Sequence, residues 1–305
     1  MSTILEVSSE WLSLREPEDA ATRSRELALA AAALLEHTPL QQTPLQQTPL
    51  QHRPLQQTTL KQTTLSIHDL GSGTGSMMRW LAPLLPGPQT WTLHDWNADL
   101  IEQAAAGIRP LDRDGVPISV RTQPGNLADL RAAVLGPAGQ PAASLVTASA
   151  LLDVLTVNEI HAIVDAVLDV GCPALLALTV TGDVRLSPAD ELDPAFQAAF
   201  NSHQQSGTRR QVGQDGAAIA GRLFTEAGWH VRSSTTTWRL DHHRPRLLAE
   251  WFDGWVDAAL EFDAEHDAEL QAHAARYRRR RAVEIERGEL TAHIDHMDLL
   301  AWPRG

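Results

Sequence analysis

Ile67-His68-Asp69-Leu70-Gly71-Ser72-Gly73-Thr74-Gly75 reads as a strand, a glycine-rich turn and the opening of a helix. The strand is expected over Ser66 to Leu70 and the helix from Gly75 to Leu85. Glycines at such a turn let the backbone take positive φ and come close to a ligand. The helix that follows exposes backbone N–H donors that have no partner inside it. Asp69 sits where the strand hands over to the turn.

Working outward, strands and helices alternate. Thr90 to His94 reads as a second strand and Asn97 to Gly107 as a helix. Ile118 to Arg121 is a third strand, followed by a helix over Leu127 to Leu135. Ser144 to Thr147 is a fourth strand, Thr156 to Val170 a helix, and Ala174 to Val180 a fifth strand. This alternation predicts a parallel sheet with helices on both faces. Beyond it come a helix (Asp215 to Ala227), a strand (Trp229 to Thr235), two helical stretches (Arg246 to Leu260 and Ala264 to Arg287) and a final strand (Leu290 to Ala301). The two helical stretches have to sit outside the sheet, and we expect them as a cap over the substrate side.

Two ligand classes use a turn of this kind. A dinucleotide fold wants GxGxxG, ending in glycine or alanine. Counted from Gly71, the last place is Ser76, which disfavours a nicotinamide-dependent oxidoreductase. A phosphate loop is excluded, because no Gly-Lys-Ser/Thr closes the turn. The pattern is instead Asp-x-Gly-x-Gly-x-Gly. It resembles motif I of the class I S-adenosylmethionine-dependent methyltransferases. The resemblance spans about Ser66 to Val180 and implies a Rossmann-like, mostly parallel seven-stranded sheet. It implies S-adenosylmethionine as cofactor, with Asp69, Gly71, Ser72, Gly73 and Gly75 around its methionine part. It places Asp95, at the tip of the second strand, on the ribose and Trp96 beside the adenine. A carboxylate about 20 residues after the turn suits ribose hydroxyls; its other reading is a helix cap before Asn97. Gly125-Asn126-Leu127 stands where the family often carries Gly-Asp-Leu. Asn126 can still accept the adenine amino hydrogen bond through its amide oxygen, and a plain N-cap role is its alternative. Thr147, Ala148 and Ser149, closing the fourth strand, are the remaining cofactor candidates.

Methyl transfer asks the protein mainly to bind, align and desolvate, with a base only if the acceptor must lose a proton. Asp153, near the expected substrate mouth, is a candidate base or orienting group, with a helix cap as its alternative. His203, beside Asn201 in Phe200-Asn201-Ser202-His203, is a second candidate, against an exposed helix surface. His242 and His243 are adjacent but have no third ligand at metal-site spacing, so no metal is expected. His293 and His296 read as structural. Trp251, Phe252 and Trp255 recur at helical spacing, as a core stripe does. Arg276 to Arg281 is the one basic cluster, and the glutamates that follow it suggest surface ion pairing.

The N-terminal part divides differently. Residues Glu18 to Glu36 read as one helix with Pro17 near its start, within an N-terminal helical segment over 1–37. Trp11, Leu12 and Leu14 are expected to pack on the main body. From Thr38 a five-residue unit repeats (TPLQQ, TPLQQ, TPLQH, RPLQQ, TTLKQ). That period fits neither helix nor strand, so 38–65 is read as a linker, and 66–305 as the main domain with a helical insertion at about 241–288.

The formal net charge of −13 makes nucleic acid a poor partner and a small-molecule acceptor a better one. A single cysteine, Cys172, allows no internal disulfide and suits a cytoplasmic protein. No export signal and no membrane span is read. The sequence therefore points to a methyltransferase acting on a small molecule. A non-catalytic S-adenosylmethionine-binding sensor or partner, and an RNA or protein methyltransferase, are the alternatives.

Overall fold

The strand segments of the first half become the parallel part of a sheet, most of them buried, with the edge strand at Ser119–Pro124 largely exposed. In the computed structural model, which describes residues 8–37, 64–125, 130–135, 142–205, 210–265 and 270–304, these are β1 (Leu65–Leu70), β2 (Gln89–Asp95), β3 (Ser119–Pro124), β4 (Leu145–Ser149) and β5 (Ala174–Ser187). With β6 (His230–Leu240) and β7 (Thr291–Trp302) they form one sheet in the order β3-β2-β1-β4-β5-β7-β6. Strands β1 to β5 pair in parallel, and β7 runs antiparallel between β5 and β6. This is the Rossmann-like, mostly parallel seven-stranded sheet that the resemblance implies, with the parallel strands that the alternation predicts.

Ten helices surround it among the described residues: α1 (Ser9–Thr22), α2 (Arg25–His37), α3 (Ser76–Leu81), α4 (Ala98–Ala106), α5 (Leu130–Leu135), α6 (Val157–Val170), α7 (Asp193–Gln205), α8 (Gly216–Glu226), α9 (Pro245–Glu265) and α10 (Gln271–Glu286). Helices α2, α3 and α4 share a core with Ile67, Trp91 and Leu145 on one face of the sheet. Helices α5, α6 and α8 pack with Val146, Ala148 and Leu176 on the other. Helix α6 is fixed locally by a capping box between Thr156 and Glu159 and by Gly171 in the left-handed region at its end.

A third core lies further out. Strand β5 continues past the end of β4, and its far half pairs with Thr291 to Ile294. Helices α7, α9 and α10 bury Phe196, Phe252, Trp255 and Tyr277 against this extension. The aromatic stripe is thus core packing. The arginine run of α10 is largely ion-paired: Arg278 with Asp253 and Asp257, Arg280 with Asp190, and Arg281 with Asp193 and Glu284.

Three readings of the sequence need correction. The single N-terminal helix is two helices, and Pro17 lies inside α1. The chain breaks at Arg23 and Ser24 because the backbone N–H of Ser24 donates to Asp298 Oδ2 on β7 (2.7 Å), while Ser24 Oγ caps Leu27. Helix α7 is an element that the strand–helix alternation passes over. Strand β5 does not end at Val180 but runs to Ser187 through two register shifts. The repeat at 38–63 lies outside the described residues, as do Asn126 and Leu127.

Candidate functional site

The sheet order reverses direction at β1, whose neighbours β2 and β4 lead to opposite edges. A crevice at the carboxyl ends of the strands forms at such a point, and ligands of open α/β sheets bind there. Here the crevice is a cavity of about 1150 Å³. The turn after β1 forms its floor, Trp96 and Gln123 to Gly125 one end, and Ser149 to Thr156 the other. Helix α1 closes over it with Trp11, Leu12, Arg15 and Asp19.

Gly71, Gly73 and Gly75 all have positive φ (58°, 50° and 83°). A Cβ on Gly71 would come within 2.8 Å of the Leu151 side chain, and one on Gly73 within 3.1 Å of Leu12. The turn is therefore shaped to let backbone face the cavity closely. It is tied down from the neighbouring strand. Ser72 N–H donates to the His94 carbonyl (3.0 Å) and Gly73 N–H to Asp95 Oδ2 (2.9 Å).

Asp95 Oδ1 takes the Asn97 N–H (2.9 Å), so each oxygen of this carboxylate holds one backbone donor. The cap of α4 is Asn97, whose side chain accepts from Asp99 and Leu100. Each Asp95 oxygen keeps a lone pair for a further donor. Trp96 is about half exposed (45%) at the cavity edge.

Asp69 is 1% exposed. Its Oδ1 accepts from the Thr147 hydroxyl at 2.7 Å, and its Oδ2 has no hydrogen-bond partner among the described residues. Burial pushes its carboxyl up to about 7. The buried Ser72 hydroxyl is also without a partner among the described residues. Thr147 and Ala148 are buried and do not line the cavity; Thr147 acts on Asp69 from behind, and Ala148 packs in the core. Ser149 does line it.

Asp153 sits in a 3-10 turn, Leu152–Val154, and lines the cavity. It is 7% exposed, its Oδ1 has no partner among the described residues, and burial raises it to about 6. His203 is not brought to the cavity. It lies on α7, outside the lining, with its ring 3.1 Å from Glu261 of α9. Asn201 is likewise outside it, donating to the Gly182 carbonyl.

The sequence reading missed Arg15, Asp19, Arg23 and His94. His94 stacks on His68 at a ring separation of 5.1 Å, with Nδ1 of His68 2.9 Å from Nε2 of His94. Burial pushes both down to about 4, so both are neutral at pH 7. Backbone strain offers another signal that sequence lacks. Ala150 and Leu178 have positive φ (52° and 55°) without being glycine, and both line the cavity. Such residues gather at ligand sites. None of the residues of α9 or α10 lines the cavity; its roof is α1.

Among the described residues, one group could hold a metal ion: Asp241, His242 and His243, on the turn between β6 and α9 and outside the cavity lining. No helix among them is long and apolar enough to cross a membrane.

Comparison with known proteins finds similar solved structures at low identity. Cyclopropane synthase from Mycobacterium tuberculosis shares 11% identity over 79% of either chain, with a TM-score of 0.40. An arsenic(III) S-adenosylmethionine methyltransferase from Chlamydomonas reinhardtii shares 14% over 79% of this chain and 64% of its own, at 0.35. Geranyl diphosphate methyltransferase, solved with S-adenosylmethionine, shares 11% over 91% and 85%, at 0.38. No family model and no curated protein matches the chain.

Proposed function

We propose that this chain is an S-adenosylmethionine-dependent methyltransferase of the class I type, acting on a small-molecule acceptor. The observation that carries the reading is the cavity at the β1 reversal point, where three positive-φ glycines meet buried polar atoms without partners, Asp69 Oδ2 and Ser72 Oγ. Orphaned polar atoms at such depth are costly unless a ligand satisfies them. A Cβ at Gly71 would fill the cradle, which fits the tight approach of a nucleoside–amino-acid ligand. About 1150 Å³ is at or above the size of a site for one drug-sized ligand, which leaves room for an acceptor.

In this reading Asp95 holds the ribose hydroxyls, and its grip on Gly73 sets turn and ribose in one register. Trp96 covers the adenine. Asp69, braced by Thr147, meets the amino-acid end together with Ser72. The bound cofactor supplies a methyl group on a sulfonium, already activated for displacement. The chain's task is then to exclude water and align the acceptor. Trp11 and Leu12 of α1 close the roof and serve the first purpose. Asp153 serves the second. With its carboxyl raised to about 6, it is mostly ionised at pH 7 and accepts a proton or hydrogen bond from the acceptor.

Titration calorimetry with S-adenosylmethionine, S-adenosylhomocysteine and NADH, on wild type and Asp95→Ala, tests this. Binding of both adenosyl ligands, weakened on the order of 10- to 100-fold by the substitution, is the expected result. A folded wild type that binds neither sinks the reading, and NADH binding alone would favour an oxidoreductase. Methyl incorporation from labelled cofactor in an acceptor screen separates an enzyme from a non-catalytic binder.

A further inference from the structure

Arg23 is the most deeply buried cation at the cavity wall. It is 4% exposed and stands at the break between α1 and α2. Its Nε and Nη2 donate to the Ser149 hydroxyl (3.2 and 3.0 Å), and Nη2 also to the Ser76 hydroxyl (2.9 Å). Both acceptors are neutral. Its third nitrogen, Nη1, is buried with no partner among the described residues. Among the described residues, the one carboxylate within ion-pair range is Asp19, with Oδ2 3.9 Å from Nη2. That carboxylate is already held by Arg15, at 3.0 and 3.2 Å through both of its oxygens. The Trp80 ring lies 5.6 Å from the guanidinium carbon. Burial works against the Arg23 charge and lowers its proton affinity. A guanidinium taken out of water without a carboxylate of its own is an expensive feature to keep.

Asp69 has the opposite shortage. It is a buried carboxylate on the same cavity, and its Oδ2 lacks a donor. Arg23 and Asp69 are near enough that each acts on the other's charge, yet they form no ion pair. A cation lacking an anion and an anion lacking a cation, on one wall of one cavity, are complementary to a zwitterion.

Resting on the cofactor reading above, we propose that Arg23 binds the α-carboxylate of the ligand's amino-acid end, while Asp69 takes its α-ammonium. Arg23 is then a cofactor-binding residue supplied from outside the sheet domain, by the N-terminal helical segment. Ser76 and Ser149, which hold two of its nitrogens, set its orientation. The docking of α1 and α2 becomes a condition for binding the amino-acid end, whereas the adenosine end rests chiefly on the glycine turn and the carboxyl ends of β2 and β3.

The test uses ligands that differ only at the proposed contact. Calorimetry is run on the full chain with S-adenosylhomocysteine, with its analogue lacking the α-carboxylate, and with 5′-methylthioadenosine, which lacks the whole amino-acid end. In wild type, loss of the carboxylate is expected to weaken binding on the order of 10- to 100-fold. In Arg23→Met, S-adenosylhomocysteine weakens by a similar factor, methylthioadenosine stays within about threefold, and the carboxylate-free analogue no longer differs from its parent. Arg23→Lys recovers part of the loss. Retained methylthioadenosine binding also shows that the variant is folded. Equal affinity of wild type for S-adenosylhomocysteine and its carboxylate-free analogue overturns the proposal without any variant. So does a parallel loss of all three ligands in both variants, which would make Arg23 structural. If wild type binds none of the three, the cofactor reading itself falls, and this proposal with it.

Discussion

Two buried arginines in this protein face opposite circumstances. Arg281, on α10 in the outer core, is 0% exposed and donates to both oxygens of Asp193, to Glu284 and to the Pro188 carbonyl. Burial opposes its charge, but the Asp193 and Glu284 hydrogen bonds outweigh it and hold the group above its ordinary range. Arg23, at the cavity, is as deeply buried but meets hydroxyls, and burial prevails. The difference separates scaffold from site. Where a charge serves packing, the chain surrounds it with opposite charge. Each guanidinium keeps one buried nitrogen without a partner among the described residues, Nε in Arg281 and Nη1 in Arg23, so what differs is the opposite charge: at the cavity the chain supplies none in direct contact and bears the cost.

The sharpest way to break this comparison is to remove the anion from one site and the cation from the other. Asp193→Ala leaves Arg281 buried beside fewer anions and is expected to lower stability by about 3–5 kcal/mol. Arg23→Met removes a charge that has no close anion, and its expected cost is within about 1 kcal/mol. Urea denaturation of both variants measures this; equal losses would erase the distinction between the two sites. A smaller effect is expected at the glycine turn. Gly71→Ala forces positive φ and a Leu151 contact, at about 1–3 kcal/mol, with ligand binding lost. Gly171→Ala at the end of α6, where a Cβ meets nothing within 4 Å, is expected to cost about 1 kcal/mol and leave binding intact.

Acidity gives a third handle. Asp69 titrates near 7 in the folded chain, against an ordinary value of about 3.9. The folded protein thus holds a proton that the unfolded chain has released, and stability falls as pH rises from about 4 to 7. His68 and His94, pushed down to about 4, act in the other direction. The unfolded chain takes up their protons first, so stability is lost as pH falls from about 6.5 to 4. Asp69→Asn is expected to be more stable than wild type at pH 8, with the gap shrinking toward pH 5 and the acid limb unchanged. Denaturation midpoints at the two pH values check it; a gap that does not change with pH would mean that Asp69 is not the titrating group. The smallest effect belongs to Trp96→Ala, about 0.5 kcal/mol or less in stability because the ring is half exposed. A severalfold weaker adenosine affinity is its expected signature in calorimetry.

The sheet was legible because its signals are local. Apolar runs, the glycine turn and caps such as Asn97 and Thr156 need only neighbouring residues to be understood. Asp69, Asp95 and Asp153, which all line the cavity, were legible as candidates for the same reason, each lying at a strand end or in the turn that follows one. Arg23 was not. Inside an unbroken helix it would be one more surface arginine, and the break that turns it inward depends on Asp298, 274 residues from Ser24. His203 failed in the opposite way: a polar cluster is visible in sequence, but the face on which α7 packs is not. The roof over the cavity was half legible, since Trp11 and Leu12 suggested docking without saying where.

Asp298 has a further consequence for how the protein comes into being. Its carboxylate takes the N–H of Ser24 and of Leu178, and the Thr236 hydroxyl lies near it. It thereby joins the N-terminal segment, β5 and β6 through one side chain of β7, which is inserted between strands made earlier. A ribosome delivers residue 298 long after residues 24 and 178. A nascent chain stalled before β7 can carry the glycine turn and Asp95, yet it lacks the clamp that turns Arg23 inward. The half of the proposed site built on the glycine turn and Asp95 is encoded early in synthesis, and the half built on Arg23 is completed only when the last strand arrives.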